Sequence, residues 1–135
     1  MDEPPFWRDE YAWIRDYLGI DESEDRRALE ILQETFDPRP CLLPELRDRY
    51  SGMVSIVIGA SESVLVDLER LRNLRDLWEG EAFLVAADTV TPLLLSRGMV
   101  PDIVVTDLDG PVEALVEASR LGSYLFVHGH GDNLR

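Results

Sequence analysis

The sequence predicts an α/β fold, with a mostly parallel sheet, flanking helices and a small helical N-terminal region. From Met53 onward, short apolar runs alternate with amphipathic helical segments, which is typical of βαβ units with right-handed crossovers. Every apolar run ends in glycine or polar residues. We expect residues 1–50 to form the helical region and residues 51–135 to form an α/β domain. We also expect that domain to continue beyond residue 135.

The N-terminal region shows helical periodicity. Trp7, Tyr11, Ile14 and Leu18 recur at spacings of four, three and four, so they share one face of a helix. A second helix is predicted over residues 25–36, with an apolar stripe of Ala28, Leu29, Leu32 and Phe36. We expect the aromatic side chains of this region to form core or a lid over the main domain. Residues 37–49 contain three prolines and are predicted to be a connecting loop.

Four strands and three helices are predicted after residue 53. The strands are residues 54–58, 82–87, 103–106 and 123–127, and the first reads as a strand covered on both faces. A helix follows the first strand and ends at Gly80, and shorter helices span residues 91–96 and 111–120. The side chains predicted to face inward are Val64, Leu65, Leu68, Leu71 and Leu74 in the first helix, and Val112, Leu115, Val116 and Leu121 in the last.

Composition excludes several functional classes. The chain has 135 residues, 45% of them hydrophobic, which suffices for one domain with a packed core. Its net charge of −14 argues against nucleic-acid binding, which needs clustered basic residues. All 13 basic residues are arginine, so a P-loop lysine is excluded. A single cysteine, no signal-peptide pattern and no membrane-length apolar run favour a soluble, cytoplasmic protein.

The most informative stretch runs from Pro101 to Gly110, where a short apolar strand leads into Asp107-Leu108-Asp109-Gly110. Residues two apart in an extended segment point to the same side, so Asp107 and Asp109 are predicted to converge while Leu108 turns into the core. Converging carboxylates repel each other, and a divalent cation removes that cost. A magnesium–nucleotide site is our first hypothesis, and a solvated aspartate-rich turn is the alternative.

The other strand ends also carry polar or small residues. Gly59-Ala60-Ser61 lies between a strand and a helix, where backbone N–H groups can approach a phosphate. Asp88 could hold a substrate group or cap the following helix. Thr106 could complete a strand hydrogen bond or touch a ligand. Because parallel strands end at one edge of a sheet, all of these residues should lie along the same edge.

The last strand runs into His128-Gly129-His130-Gly131-Asp132-Asn133. His128, His130 and Asp132 alternate, so Asp132 could be a third metal carboxylate and the histidines could contact phosphate or act as acid–base groups. A zinc hydrolase is a weaker hypothesis, because such sites need further histidines and this chain has two. Phosphatases of the haloacid-dehalogenase type also use Asp-x-Asp, but after the first strand rather than the third. Nucleotide-sugar glycosyltransferases use it in larger domains.

Taken together, two motifs resemble the archaeal 6-hydroxymethyl-7,8-dihydropterin diphosphokinase family. They are the 105–110 stretch with Asp107 and Asp109, and the 128–133 stretch with both histidines. The likeness extends to Ala87-Asp88-Thr89, to residues 98–102 and to the N-terminal aromatic pattern. That family is similar in turn to the catalytic domain of thiamine pyrophosphokinase, which implies a Rossmann-like sheet.

The resemblance implies transfer of diphosphate from ATP to the hydroxymethyl group of the pterin, with release of AMP, in methanopterin or folate biosynthesis. It implies Mg²⁺ held by Asp107, Asp109 and Asp132, and nucleotide phosphates near Gly59, Ala60 and Ser61. Asp88, Thr89 and Asn133 are expected near the substrate, and His128 or His130 would assist proton transfer. A homodimer is the expected assembly. The alternatives are a magnesium-dependent phosphatase and a non-catalytic nucleotide-binding module.

Overall fold

The computed structural model describes residues 5–35 and 43–130. They fall into two compact units, one formed by residues 5–35 with 129–130 and the other by residues 43–128. The helices are α1 (Pro5–Leu18), α2 (Glu22–Thr35), α3 (Leu43–Tyr50), α4 (Val64–Asn73), α5 (Arg75–Trp78), α6 (Thr91–Leu95) and α7 (Val112–Arg120). The strands are β1 (Val54–Ile58), β2 (Ala82–Ala87), β3 (Ile103–Thr106) and β4 (Tyr124–Val127), and a 3₁₀ turn spans Asp88–Val90.

The larger unit is built on a four-stranded parallel sheet with the order β1-β2-β3-β4. The register pairs Val57 with Val85 and Val104 with Leu125. This architecture confirms the predicted α/β fold with a parallel sheet and a helical N-terminal region. Since all four strands run the same way, their carboxyl ends lie at one edge, as predicted.

The core of the larger unit lies on one face of this sheet. Parallel strands in sequential order, joined by right-handed crossovers, place their connecting helices on the same side. Accordingly, the strand side chains Ile58, Leu84 and Ala86 pack with Val64 and Leu68 of α4 and with Leu94 of α6. Val104 of β3 packs with Leu115 and Ala118 of α7. Burial of these apolar side chains is the main favourable contribution to folding of this unit.

The opposite face of the sheet is partly open, which corrects the prediction that β1 is covered on both faces. β1 is an edge strand, and Val57 is 75% exposed. Val105 is 49% exposed and Phe126 is 37% exposed on the same face. Sequential strand order explains the difference, because it leaves no crossover helix for this side.

Helix α3 covers part of that open face, although residues 37–49 were predicted to be a connecting loop. The Tyr50 ring stacks on Phe83 with a centroid distance of 4.5 Å. Its hydroxyl donates to Asp102 Oδ1 at 3.2 Å. Pro44 misled the prediction, since proline is tolerated in the first turn of a helix. Residues 37–42 lie outside the described part of the chain.

Several side chains predicted to face inward are exposed. In α4, Leu68 is buried but Leu65 is exposed, and Leu74, which follows the helix, is exposed as well. In α7, the buried side chains are Ala114, Leu115 and Ala118, whereas Val112, Val116 and the following residue Leu121 are exposed. The predictions assumed wide apolar stripes, but each helix packs against the sheet on one side only, so a narrower stripe of residues is buried.

The smaller unit contains α1 and α2. Ala28 is buried, whereas Trp7, Tyr11, Trp13, Tyr17, Leu18 and Leu29 are exposed, so these four aromatic side chains of α1 are not core. Trp13 and Tyr17 stack on each other at 5.5 Å. Asp21 Oδ1 accepts hydrogen bonds from the backbone and hydroxyl of Ser23 at the start of α2, and these bonds lower the pKa of Asp21. Phe36 lies outside the described residues.

In the described parts of the chain, no helix has both the length and the apolar character needed to cross a membrane.

Candidate functional site

The loop after β3, residues 107–110, carries the two predicted metal carboxylates. One carboxylate oxygen of Asp107 and one of Asp109 lie within 4.8 Å of each other. We expected the two side chains to converge through the alternation of an extended segment. The segment is not extended, however, because Leu108 has a left-handed φ of 70°. Leu108 is also 38% exposed rather than directed into the core. A turn at Leu108 is therefore what sets the direction of the Asp109 side chain.

Asp88 and Thr106 lie under this loop. The Thr106 hydroxyl donates to Asp88 Oδ2 at 2.8 Å and accepts from the Leu108 amide at 2.8 Å. Asp88 Oδ2 also accepts from the Gly110 amide at 3.2 Å. Both residues are buried, at 6% and 2% exposure. Buried polar atoms are costly unless they are paired, so these bonds fix the backbone of the loop.

Gly110 meets Asp88 so closely that no side chain fits there. A Cβ built on Gly110 would lie 2.7 Å from Asp88 Cγ and 2.9 Å from its Oδ2. The glycine is therefore needed for close approach to a buried carboxylate. This is a more specific reason than the general frequency of glycine in turns.

The remaining loop contacts leave Asp107 and Asp109 at the carboxyl edge of the sheet. The Asp109 amide donates to Asp107 Oδ1 at 3.3 Å. Asp107 is half-buried and Asp109 is exposed. Two carboxylates that converge at an accessible edge form a pair of hard oxygen donors, which fits Mg²⁺. Mg²⁺ binding stays a prediction.

Gly59, Ala60 and Ser61 form the exposed turn between β1 and α4. Gly59 and Ser61 line a groove of about 420 Å³, together with apolar residues of β1 and α4. One strand separates β1 from β3, so this turn lies roughly 10 Å along the edge from the aspartate loop, at two strand spacings. Their nucleotide-binding role stays a prediction.

His128 follows β4, next to the end of β3. Its amide donates to the Thr106 carbonyl at 2.8 Å, which places His128 beside the start of the aspartate loop, and the residue is exposed. Thr89 is also exposed, and its amide donates to Asp88 Oδ1 at 2.6 Å. His130 belongs to the smaller unit. Asp132 and Asn133 lie outside the described residues, so their predicted roles stay predictions, as do those of both histidines and Thr89.

Thr106 is the residue whose importance the sequence understated. Its apolar run suggested an ordinary strand position, yet its hydroxyl connects Asp88 to the aspartate loop. The sequence signal for this role is a threonine one position before an acidic motif, at the end of an apolar run. Thr91 similarly stabilises the 3₁₀ turn at Asp88–Val90, because its hydroxyl donates to the Ala87 carbonyl at 2.9 Å.

Comparison with known proteins finds a matching family model and three relatives that share one name. Residues 27–135 match the family model described as 6-hydroxymethylpterin diphosphokinase MptE-like. Proteins named 6-hydroxymethyl-7,8-dihydropterin pyrophosphokinase are similar, at 33% identity in Methanocaldococcus jannaschii and 36% in Methanothermobacter thermautotrophicus. A protein of that name in Pyrococcus furiosus is 37% identical.

The matches cover 95%, 98% and 95% of this chain, in the same order. They cover 53%, 55% and 53% of the relatives, so the chain spans about half the length of the curated relatives it matches. The family model covers most of the chain and includes the aspartate loop, Asp88 and Thr106. The chain therefore belongs to the 6-hydroxymethylpterin diphosphokinase MptE-like family.

Proposed function

We propose that this chain supplies the metal- and nucleotide-binding part of a 6-hydroxymethyl-7,8-dihydropterin diphosphokinase. The reaction transfers diphosphate from ATP to the pterin hydroxymethyl group and releases AMP, in methanopterin or folate biosynthesis. The observation that carries the proposal is the convergence of Asp107 and Asp109 at the carboxyl edge of a parallel sheet, within a family of that name.

The two aspartates are proposed to hold Mg²⁺, with Asp132 as a third ligand. When bound, Mg²⁺ would supply positive charge that stabilises the negative charge developing on the phosphate groups. The chain has no lysine to share that task, and its net charge is −14. A strongly acidic edge would repel ATP, so cation binding is proposed to come with nucleotide binding.

The bond changes are those of a single in-line displacement. The pterin hydroxyl oxygen forms a bond to the β-phosphorus, and the bond between that phosphorus and the α–β bridging oxygen breaks. AMP leaves with the bridging oxygen, and the hydroxyl proton passes to a base. We propose His128 as the acceptor of that proton, with His130 as the other candidate. Imidazole suits this role because it exchanges protons near neutral pH.

Product analysis tests this proposal. In a chimera, this chain replaces the 132 matched residues of the Methanothermobacter thermautotrophicus relative. The rest of the relative then supplies the part of its length that this chain does not match. The chimera and the chain alone are incubated with ATP, MgCl₂ and 6-hydroxymethyl-7,8-dihydropterin, and AMP is separated from ADP. We expect AMP that depends on the pterin. ADP with free phosphate would instead favour a phosphatase, and nucleotide binding without any product would favour a binding module.

A further inference from the structure

We infer that Asp88 and Thr106 are positioning residues that hold the backbone of residues 107–110 in the conformation where both aspartates can share one cation. The inference rests on the proposed function. It adds a role for two side chains beneath the metal ligands, which act on the cation through the loop backbone.

Hydrogen-bond direction supports this inference. The Leu108 amide can only donate, so the Thr106 hydroxyl accepts there and directs its own proton to Asp88 Oδ2. Asp88 accepts from three donors: the Thr89 amide, the Thr106 hydroxyl and the Gly110 amide. A carboxylate satisfies all three, whereas an asparagine side chain would turn an N–H group toward at least one donor.

The loop contacts also explain why the backbone needs support. Leu108 adopts a left-handed conformation that is unfavourable for a side chain with a Cβ, so surrounding contacts must maintain it. The amides before and after Asp109 are the ones anchored, through Thr106 and Asp88 respectively. Anchoring both sides of Asp109 fixes the direction of its side chain relative to Asp107.

Paired substitutions at Thr106 test the inference. Thr106→Val keeps the side-chain shape and removes the hydroxyl, whereas Thr106→Ser keeps the hydroxyl. We expect Thr106→Val and Asp88→Asn to weaken Mn²⁺ binding, followed by electron paramagnetic resonance, by about 10-fold or more, as found for residues that orient metal ligands. Thr106→Ser should retain affinity within about 2-fold of the unsubstituted chain, because it restores the same hydrogen bonds.

Val104→Ala is the matched structural control. Val104 is fully buried on the same strand, and its side chain has no polar atom that could hydrogen-bond to the loop. It should lower stability and leave Mn²⁺ affinity unchanged. If Val104→Ala weakens Mn²⁺ binding as much as Thr106→Val, or if Thr106→Val binds normally, the positioning role is wrong.

Amide hydrogen exchange separates this inference from the proposed function. We expect the Leu108 amide to exchange faster in Thr106→Val than in Thr106→Ser, and the Gly110 amide to exchange faster in Asp88→Asn. This readout needs neither metal nor activity. Absence of Mn²⁺ binding by the unsubstituted chain would overturn the metal proposal, and unchanged exchange in Thr106→Val would overturn the positioning role.

Discussion

The amide of Gly110 donates a hydrogen bond to Oδ2 of Asp88 at 3.2 Å, across 22 positions in the sequence. This bond joins the end of β2 to the loop after β3, which are neighbouring strands. The residue that follows one strand therefore determines the backbone conformation of the acidic motif that follows the next.

Gly110→Ala should distort the aspartate loop. The new Cβ would lie 2.7 Å from Asp88 Cγ, so either the loop or the buried carboxylate must move. We expect a loss of about 1–3 kcal/mol in the free energy of unfolding, as for other overpacked sites. Urea denaturation measures it. Gly59→Ala is the control, since a Cβ there has no neighbour within 4 Å. Equal stability of the two variants would contradict the close approach.

Leu108 substitutions should report the left-handed turn. Leucine at a φ of 70° is unfavourable by about 1–2 kcal/mol, and glycine removes that cost while gaining entropy in the unfolded chain. We expect Leu108→Gly and Leu108→Asn to stay within about 1 kcal/mol of the parent chain. Leu108→Ile should be less stable than both, because β-branched residues disfavour positive φ most. Denaturant titration of the three variants gives the order, and an isoleucine variant as stable as the glycine variant would refute the turn.

Ionisation of Tyr50 should lower the stability of the larger unit at alkaline pH. Burial, followed by the nearby Asp102 carboxylate, raises the pKa of the Tyr50 phenol above its ordinary value. The folded chain thus holds this proton more tightly than the unfolded chain. Its contribution to stability is complete below the unfolded pKa of about 10 and is lost as pH rises through the folded pKa.

Unfolding titrations at a series of alkaline pH values measure that effect. We expect the free energy of unfolding to fall above pH about 10, and to fall less steeply in Tyr50→Phe. Tyr17→Phe is the matched control, because Tyr17 is 76% exposed. A Tyr50→Phe profile that parallels the parent profile would show that Tyr50 ionisation is not coupled to folding.

Two leucines of α4 should differ sharply in their contribution to stability. Leu68 is 1% exposed and packs against the sheet, whereas Leu65 is 48% exposed. Leu68→Ala should cost about 2–5 kcal/mol through lost burial and a cavity. Leu65→Ala should change stability by about 0.5 kcal/mol or less. Thermal or urea unfolding checks both, and similar losses would mean that α4 packs with a different face.

The strands could be predicted from the sequence almost to the residue. Each is a short, mostly apolar run that is followed by glycine, aspartate or histidine, and those signals are local. The prediction that residues following the strands share one edge also succeeded for residues 59–61, Asp88, the aspartate loop and His128, because parallel strands that alternate with helices end at the same edge.

Strand order and loop conformation could not be predicted, since both depend on tertiary contacts. The periodicity of β1 does not indicate that it is an edge strand with Val57 exposed. The amides of the loop around Leu108 donate hydrogen bonds to Thr106 and Asp88, which become neighbours only after the sheet forms. The helix at residues 43–50 was missed because Pro44 was read as a breaker rather than a first-turn residue.

The most direct measurement compares pterin-dependent AMP formation by the chimera with that of the same chimera carrying Asp107→Asn. This substitution removes one negative charge with little change in volume, so circular dichroism should show an intact fold. We expect AMP from the parent chimera and a loss of about 100-fold or more in the variant, since even residues that only orient a metal ligand cost 10–100-fold. Equal rates of AMP formation by the two proteins would contradict a catalytic metal at Asp107.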